Sequence, residues 1–140
     1  QALGYAEARP ATDVEGIDTW HKVILSSNIA FGVSLDPATV PVTGISKITK
    51  ADIEAAAAEG CKLKLIAHAK LMEDGSVEAS VAPEKIPFAH PLAGVSNEFN
   101  AVYITGDMVG EVMLYGRGAG ALPTGSAVAG DIISIAKEGK

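Results

Sequence analysis

This chain is poor in the residues that staple, span or bind polyanions. Its 140 residues include one cysteine, Cys61, so no disulfide can close within it. That usage fits a reducing compartment. No apolar run approaches the ~20 residues of a membrane-spanning helix, and no basic-then-apolar leader precedes the first motif. Lys and Arg number 11 against 17 Asp and Glu, a net charge of −6, which argues against nucleic acid or an anionic membrane as partner. A soluble, cytoplasmic protein is expected. Metal-ligand spacing is also missing: His90 stands beside Pro91 with no Cys or acidic partner near it, and His68 lies among lysines. No metal is expected. The first residue is Gln1, so the expectation is of a piece cut from something longer.

What is present is globular. Hydrophobic residues make up 48% and charged residues 20%, enough for a real core in one domain spanning residues 1–140. Most of the chemistry sits in residues 4–22. Thr12 followed by Glu15 has the spacing of a capping box and predicts a helix beginning near Asp13. Val14, Ile17, Ile24 and Leu25 recur at helical spacing, and Phe31-Gly32 supplies a stop. Asp18 and Lys22 fall four apart on one face of that helix, at the edge of the apolar stripe. On spacing alone they form a surface ion pair worth a few tenths of a kcal/mol. Glu7 and Asp13 arrive just ahead of them, through a loop held by Pro10. Three carboxylates and one ammonium would thereby converge on a small polar ligand.

Further along, the prolines between Gly32 and Ser46 predict a loop. Thr49 should cap a short helix, Lys50 to Glu59, stopped by Gly60. Cys61 to Leu71 alternates as a half-buried strand, with Cys61, Leu63, Leu65, Ala67, Ala69 and Leu71 inward. Cys61 is expected to be a buried structural thiol, and the facing Lys62, Lys64, His68 and Lys70 a solvated surface. Asp74-Gly75 signals a hairpin turn into Val77, Ala79 and Val81, as far as Pro83. A loop follows to Ser96. A second hairpin pairs Ala101–Thr105 with Glu111–Tyr115. The run Gly116-Arg117-Gly118-Ala119-Gly120-Ala121-Leu122-Pro123-Thr124 then precedes a closing helix carrying Val128, Ile132, Ile133 and Ala136. A glycine-rich turn before a helix suits phosphate, but the full dinucleotide spacing is missing, and a tight turn explains it equally well.

The opening stretch closely resembles the homoserine dehydrogenase signature. There a Gly-aromatic-small-Glu run leads through a Pro to Asp-aliphatic-x-Gly-x-Asp-x-x-x-Lys. Here these are Gly4-Tyr5-Ala6-Glu7, Pro10, Asp13-Val14-Glu15-Gly16-Ile17-Asp18 and Lys22. Arg9 departs from the Asp, Asn or Ser that commonly precedes the Pro. The closing stretch is similar to the same family's last segment: Gly116 to Gly120, Thr124, Ser126-Ala127-Val128 and Asp131-Ile132-Ile133, with Gly125 where Ala is commoner.

The resemblance implies an α+β fold, a largely antiparallel mixed sheet with helices packed on one face. It further implies a catalytic, substrate-binding and dimerisation domain whose N-terminal Rossmann domain is missing. Family chemistry is the NAD(P)-dependent interconversion of L-homoserine and L-aspartate 4-semialdehyde, on the way to threonine and methionine. The resemblance makes Lys22 the general acid, Asp18 its holder, Glu7 the ligand of the substrate ammonium, and Tyr5, Asp13 and Gly4 part of the substrate site. Gly120, with Gly118 beside it, would approach the NAD(P) cofactor, bound mainly by the missing domain. A homodimer is implied, and the fragment alone should be inactive. The competing reading is a non-catalytic amino-acid-binding or dimerisation module on the same fold.

Overall fold

A computed structural model describes residues 11–139. The chain divides into two compact units, the first ending at Ala89 and the second beginning at His90. Both have α+β character.

The first unit opens with α1 (Ala11–Val14) and α2 (Ile17–Phe31). After an irregular stretch come α3 (Lys50–Ala58), β1 (Cys61–Leu71) and β2 (Val77–Pro87). The strands pair antiparallel from Cys61 opposite Pro87 to Leu71 opposite Val77. Gly75 (φ 83°) and Asp74, whose carboxylate accepts from the Ser76 N–H and hydroxyl, close the turn between them. α2 packs against both strands and α3 against β1. The core brings Val23 and Ile24 of α2 onto Val40 and Val81, with Trp20, Leu35, Leu65, Ala67 and Ala79 around them. Leu65, Ala67, Ala79 and Val81 share one face of the hairpin, as the alternation requires. Val81 is 1% exposed, the most deeply buried large apolar side chain of the cluster.

The structure departs from the sequence reading at several points. The expected single helix is broken at Glu15-Gly16, where Gly16 takes a left-handed conformation (φ 76°, ψ 11°). Thr12 lies inside α1, so the Thr12–Glu15 capping box does not form; the Glu15 side chain accepts from the Ser46 hydroxyl instead, at 3.4 Å. Leu25 is 63% exposed and Ser27 takes its place on the buried face of α2. The strand β2 runs past Pro83 to Pro87. The lysine-bearing face of β1 is not uniformly solvated: Lys64 and Ile66 are half-buried, and Ile86, paired with Lys62, is buried. That partial burial, with Lys62 nearby, pushes the Lys64 ammonium below its ordinary pKa. Cys61 is half-buried rather than buried. The Thr49 cap is a full reciprocal box with Asp52, and Gly60 follows the helix in positive φ.

In the second unit, His90 caps a 3-10 turn, Pro91–Gly94, by accepting at Nδ1 from the Leu92 N–H. β3 (Phe99–Gly106) and β4 (Gly110–Arg117) form the second antiparallel hairpin, each strand extending beyond its expected ends. α4 (Ala121–Glu138) closes the chain. It starts three residues ahead of Thr124, because Pro123 is tolerated in a first turn whose N–H groups lack intrahelical partners anyway. Among the described residues no helix is long and apolar enough to cross a membrane, and no three His, Cys, Asp or Glu side chains gather as a metal site would require.

Candidate functional site

The site is built on α2. One face of that helix is locked into the first unit's core by Val23 and Ile24, and the Trp20 indole N–H donates to the Val40 carbonyl at 2.9 Å. Those contacts fix the rotation of α2 about its axis, and so fix what its other side presents. There Lys22 Nζ lies 2.7 Å from Asp18 Oδ2, one helical turn apart. Lys22 is 59% and Asp18 48% exposed at the side chain. Half exposure rules out a large electrostatic contribution to stability, since water screens such a pair. It also leaves both charged groups within reach of a small solute. Asp18 lies in the first turn of α2, where the partial positive charge of the helix start favours a carboxylate.

Gly16 decides how the chain enters that turn. A side chain there would meet Val42, Leu65 and Val81 at 3.3 to 3.5 Å, and the positive φ disfavours any L-residue. The left-handed residue ends α1 and lets α2 begin as a separate helix. Asp13, exposed in α1, is therefore on a separate short segment rather than on the helix that carries Asp18 and Lys22. Gly4, Tyr5 and Glu7 lie outside the described residues.

Gly118 and Gly120 belong to the second unit. A Cβ at Gly118 would collide with the Asn100 side-chain amide, and the Gly118 N–H donates to the Glu98 carbonyl at 2.9 Å. A side chain at that position would have to turn the exposed Asn100 amide aside. Gly120 differs: φ 118° and ψ 153° lie in a region that essentially glycine alone occupies. It precedes α4 with no side-chain cap, which leaves first-turn N–H groups suited to an anion or a polar edge of a cofactor. Two glycines and a helix start fit a peripheral contact with a dinucleotide. They do not make a complete phosphate cradle.

Sequence reasoning missed two contributors. Trp20 anchors α2 through a bond to a residue twenty positions away, which no local pattern signals. Gly44, read only as loop, packs its backbone against Val14 and Glu15, where a side chain would not fit.

Chemically, the first unit offers an ammonium held by a carboxylate on a rigid helix, with a further carboxylate nearby in sequence. Such a pair can donate a proton to an oxygen and orient a cationic group. A family model described as homoserine dehydrogenase matches residues 1–133. The homoserine dehydrogenase of Bacillus subtilis is 46% identical over 138 residues, which cover 98% of this chain and 31% of that protein. The Lactococcus lactis enzyme is 43% identical over 140 residues, covering 100% and 32%. A crystal structure of Staphylococcus aureus homoserine dehydrogenase superposes with a TM-score of 0.87 at 45% identity, covering 96% of this chain and 34% of that one. A hyperthermophilic archaeal homoserine dehydrogenase in complex with NADPH superposes with a TM-score of 0.74 at 28% identity, over 98% and 38%. The chain thus spans about a third of the length of the curated relatives it matches. By the match over nearly its whole length, this chain belongs to the homoserine dehydrogenase family.

Proposed function

We propose that this chain is the substrate-binding, proton-donating and dimerisation portion of a cytoplasmic homoserine dehydrogenase, which interconverts L-homoserine and L-aspartate 4-semialdehyde with NAD(P) in the route to threonine and methionine. The observation that carries this is the Asp18–Lys22 pair, 2.7 Å apart and half-exposed on a helix whose other face is core. NAD(P), when bound, supplies or accepts the hydride at the carbon that carries the oxygen. The archaeal relative's complex with NADPH supports that cofactor. Most of its contacts would come from an upstream nucleotide-binding domain, with Gly120, and Gly118 beside it, meeting its edge.

In the reducing direction the aldehyde oxygen gains charge as the carbon is reduced. An alkoxide in a site shielded from water is costly, so a proton must reach it as it forms. Lys22 gives up that proton and takes it back in the oxidising direction. Asp18 holds the ammonium and keeps its N–H groups aimed. Glu7 takes the substrate's ammonium group, and Tyr5, Gly4 and Asp13 shape the pocket around it. An excess of carboxylates suits a zwitterionic substrate whose cationic end must be held.

The test is NAD(P)-dependent oxidation of L-homoserine by the intact protein, beside Lys22→Ala, with circular dichroism on both. The expected result is a folded variant whose kcat falls about a hundredfold or more, as a lost general acid implies. The 140-residue chain alone is expected to show no turnover. An intact protein inert with homoserine would leave a non-catalytic amino-acid-binding or dimerisation module as the better account, whereas a Lys22→Ala variant with wild-type kcat would remove Lys22 from the role of proton donor.

A further inference from the structure

The corner between α1 and α2 is gripped from two sides by one short loop. Gly44 presses on its back: a methyl built on Gly44 would fall on the Glu15 Cα and 2.5 Å from the Val14 oxygen. The Ile45 N–H donates to that same Val14 oxygen at 2.7 Å, and the Ser46 hydroxyl lies 3.4 Å from Glu15 Oε2. On the other side, Val42 packs 3.3 Å from where a Gly16 side chain would begin. The loop is itself tied to β2, Thr43 N–H donating to the Val81 carbonyl at 2.8 Å and Val81 N–H to the Pro41 carbonyl at 2.9 Å.

The two arms of the corner are held very differently. Trp20, Val23 and Ile24 anchor α2 in the core through Val40 and the β1–β2 hairpin, none of which belongs to residues 42–46. By contrast α1 has four residues, none of them buried, and a single helical turn cannot hold itself. Among the described residues, the backbone bond from Ile45 and the close seat of Gly44 are what hold its direction from outside the corner. We infer that residues 42–46 are a positioning element that sets Asp13 relative to Asp18 and Lys22. This rests on the function proposed above, in which Asp13 belongs to the substrate site and Lys22 donates the proton. Disturbing the loop should move the arm that shapes substrate binding and leave the proton donor in place. Gly44, Ile45 and Val42 touch no substrate in this account; they act through the corner.

That division makes a distinctive kinetic prediction. Gly44→Ala in the intact protein forces the loop off Glu15, and KM for L-homoserine should rise about tenfold while kcat falls less than about threefold; displacements of even an ångström are felt on this scale. A defect of folding alone does the reverse, lowering the active fraction and hence kcat with KM unchanged. Val42→Ala, which trims an exposed side chain, should shift KM in the same direction by a smaller factor, and it decides the matter if Gly44→Ala fails to fold. Wild-type KM in a folded Gly44→Ala or, failing that, Val42→Ala overturns the positioning role, as does a kcat loss equal to the rise in KM. Should wild-type protein be inert with homoserine, the functional assignment falls and the positioning role falls with it. The wild-type assay thereby separates the two failures.

Discussion

Replacing Gly16 by alanine tests whether the break between α1 and α2 is imposed by backbone conformation or by crowding. A left-handed residue with a Cβ costs about 1–2 kcal/mol. The new methyl would lie 3.3 Å from Val42 Cγ2 and 3.5 Å from Leu65 Cδ2 and Val81 Cγ1. The first of these is tight, and Val42 is half-exposed and able to yield, so crowding should add little. A net loss of about 1–2 kcal/mol is expected, and each kcal/mol moves Tm by about 4–8 °C in a unit of this size. Gly75 is the control: its φ is 83° and nothing lies within 4 Å of an added Cβ, so Gly75→Ala isolates the backbone cost. Trp20, the chain's one tryptophan, is half-buried in the affected unit, and its fluorescence follows melting of all three proteins. Gly16→Ala should melt at or slightly below Gly75→Ala, and both well below wild type. A Gly16→Ala protein that melts with wild type would refute the claim that the left-handed break is required. One melting far below Gly75→Ala would show that crowding against Val42 and Val81 dominates.

Ser27→Ala should raise stability by about 1 kcal/mol, because the Ser27 hydroxyl is 1% exposed with no hydrogen-bond partner among the described residues, and burying an unmet hydroxyl is costly. A lower Tm by differential scanning fluorimetry would mean that the hydroxyl is bonded after all. The Thr49 hydroxyl and N–H hold the Asp52 carboxyl below its ordinary pKa of 3.8. Its stabilising contribution is thus fully present above that value and lost as pH falls through the lower folded one. The Tm gap between wild type and Asp52→Asn should accordingly close in that acid range; a gap constant down to the lowest pH tested would contradict the cap. Gly118→Ala should destabilise the second unit modestly, since the exposed Asn100 amide that the new methyl meets has to turn aside. Adding Asn100→Ala should recover much of the loss, a coupling of about 0.5–3 kcal/mol in a double-mutant cycle, whereas strict additivity would argue against the contact.

Features set by neighbouring residues were legible in the sequence. The ends of β1, the Thr49 cap, the Asp74-Gly75 turn and the spacing of Asp18 and Lys22 each depend on a few adjacent positions. Features set by distant residues were not. Gly16 sits within an apolar period that reads as one helix, and its left-handed turn appears only in the fold, where Val42, Leu65 and Val81 lie beside it. Ser27 reads as polar yet faces the core, while Leu25 reads as core yet faces out, because the axial rotation of α2 is fixed by the Trp20 bond to Val40. The site was half legible for the same reason. The proton donor and its holder share one helix, whereas the arm bearing Asp13 is placed by a loop that carries no recognisable motif.

The tie between the loop and β2 has a consequence for how this chain behaves in company. An exposed strand edge is a template for pairing with other chains. On β2 the backbone groups of Val81 that point away from β1 are already taken by Pro41 and Thr43. Pro83 and Pro87 share the parity of Val81 along the strand, so the N–H that each lacks is one that would have pointed outward. Along its last seven residues the outer edge of β2 therefore offers few donors to an incoming strand, and a neighbour attempting to add there meets a blocked ladder. The loop that seats the corner also guards this edge of the hairpin against an added strand.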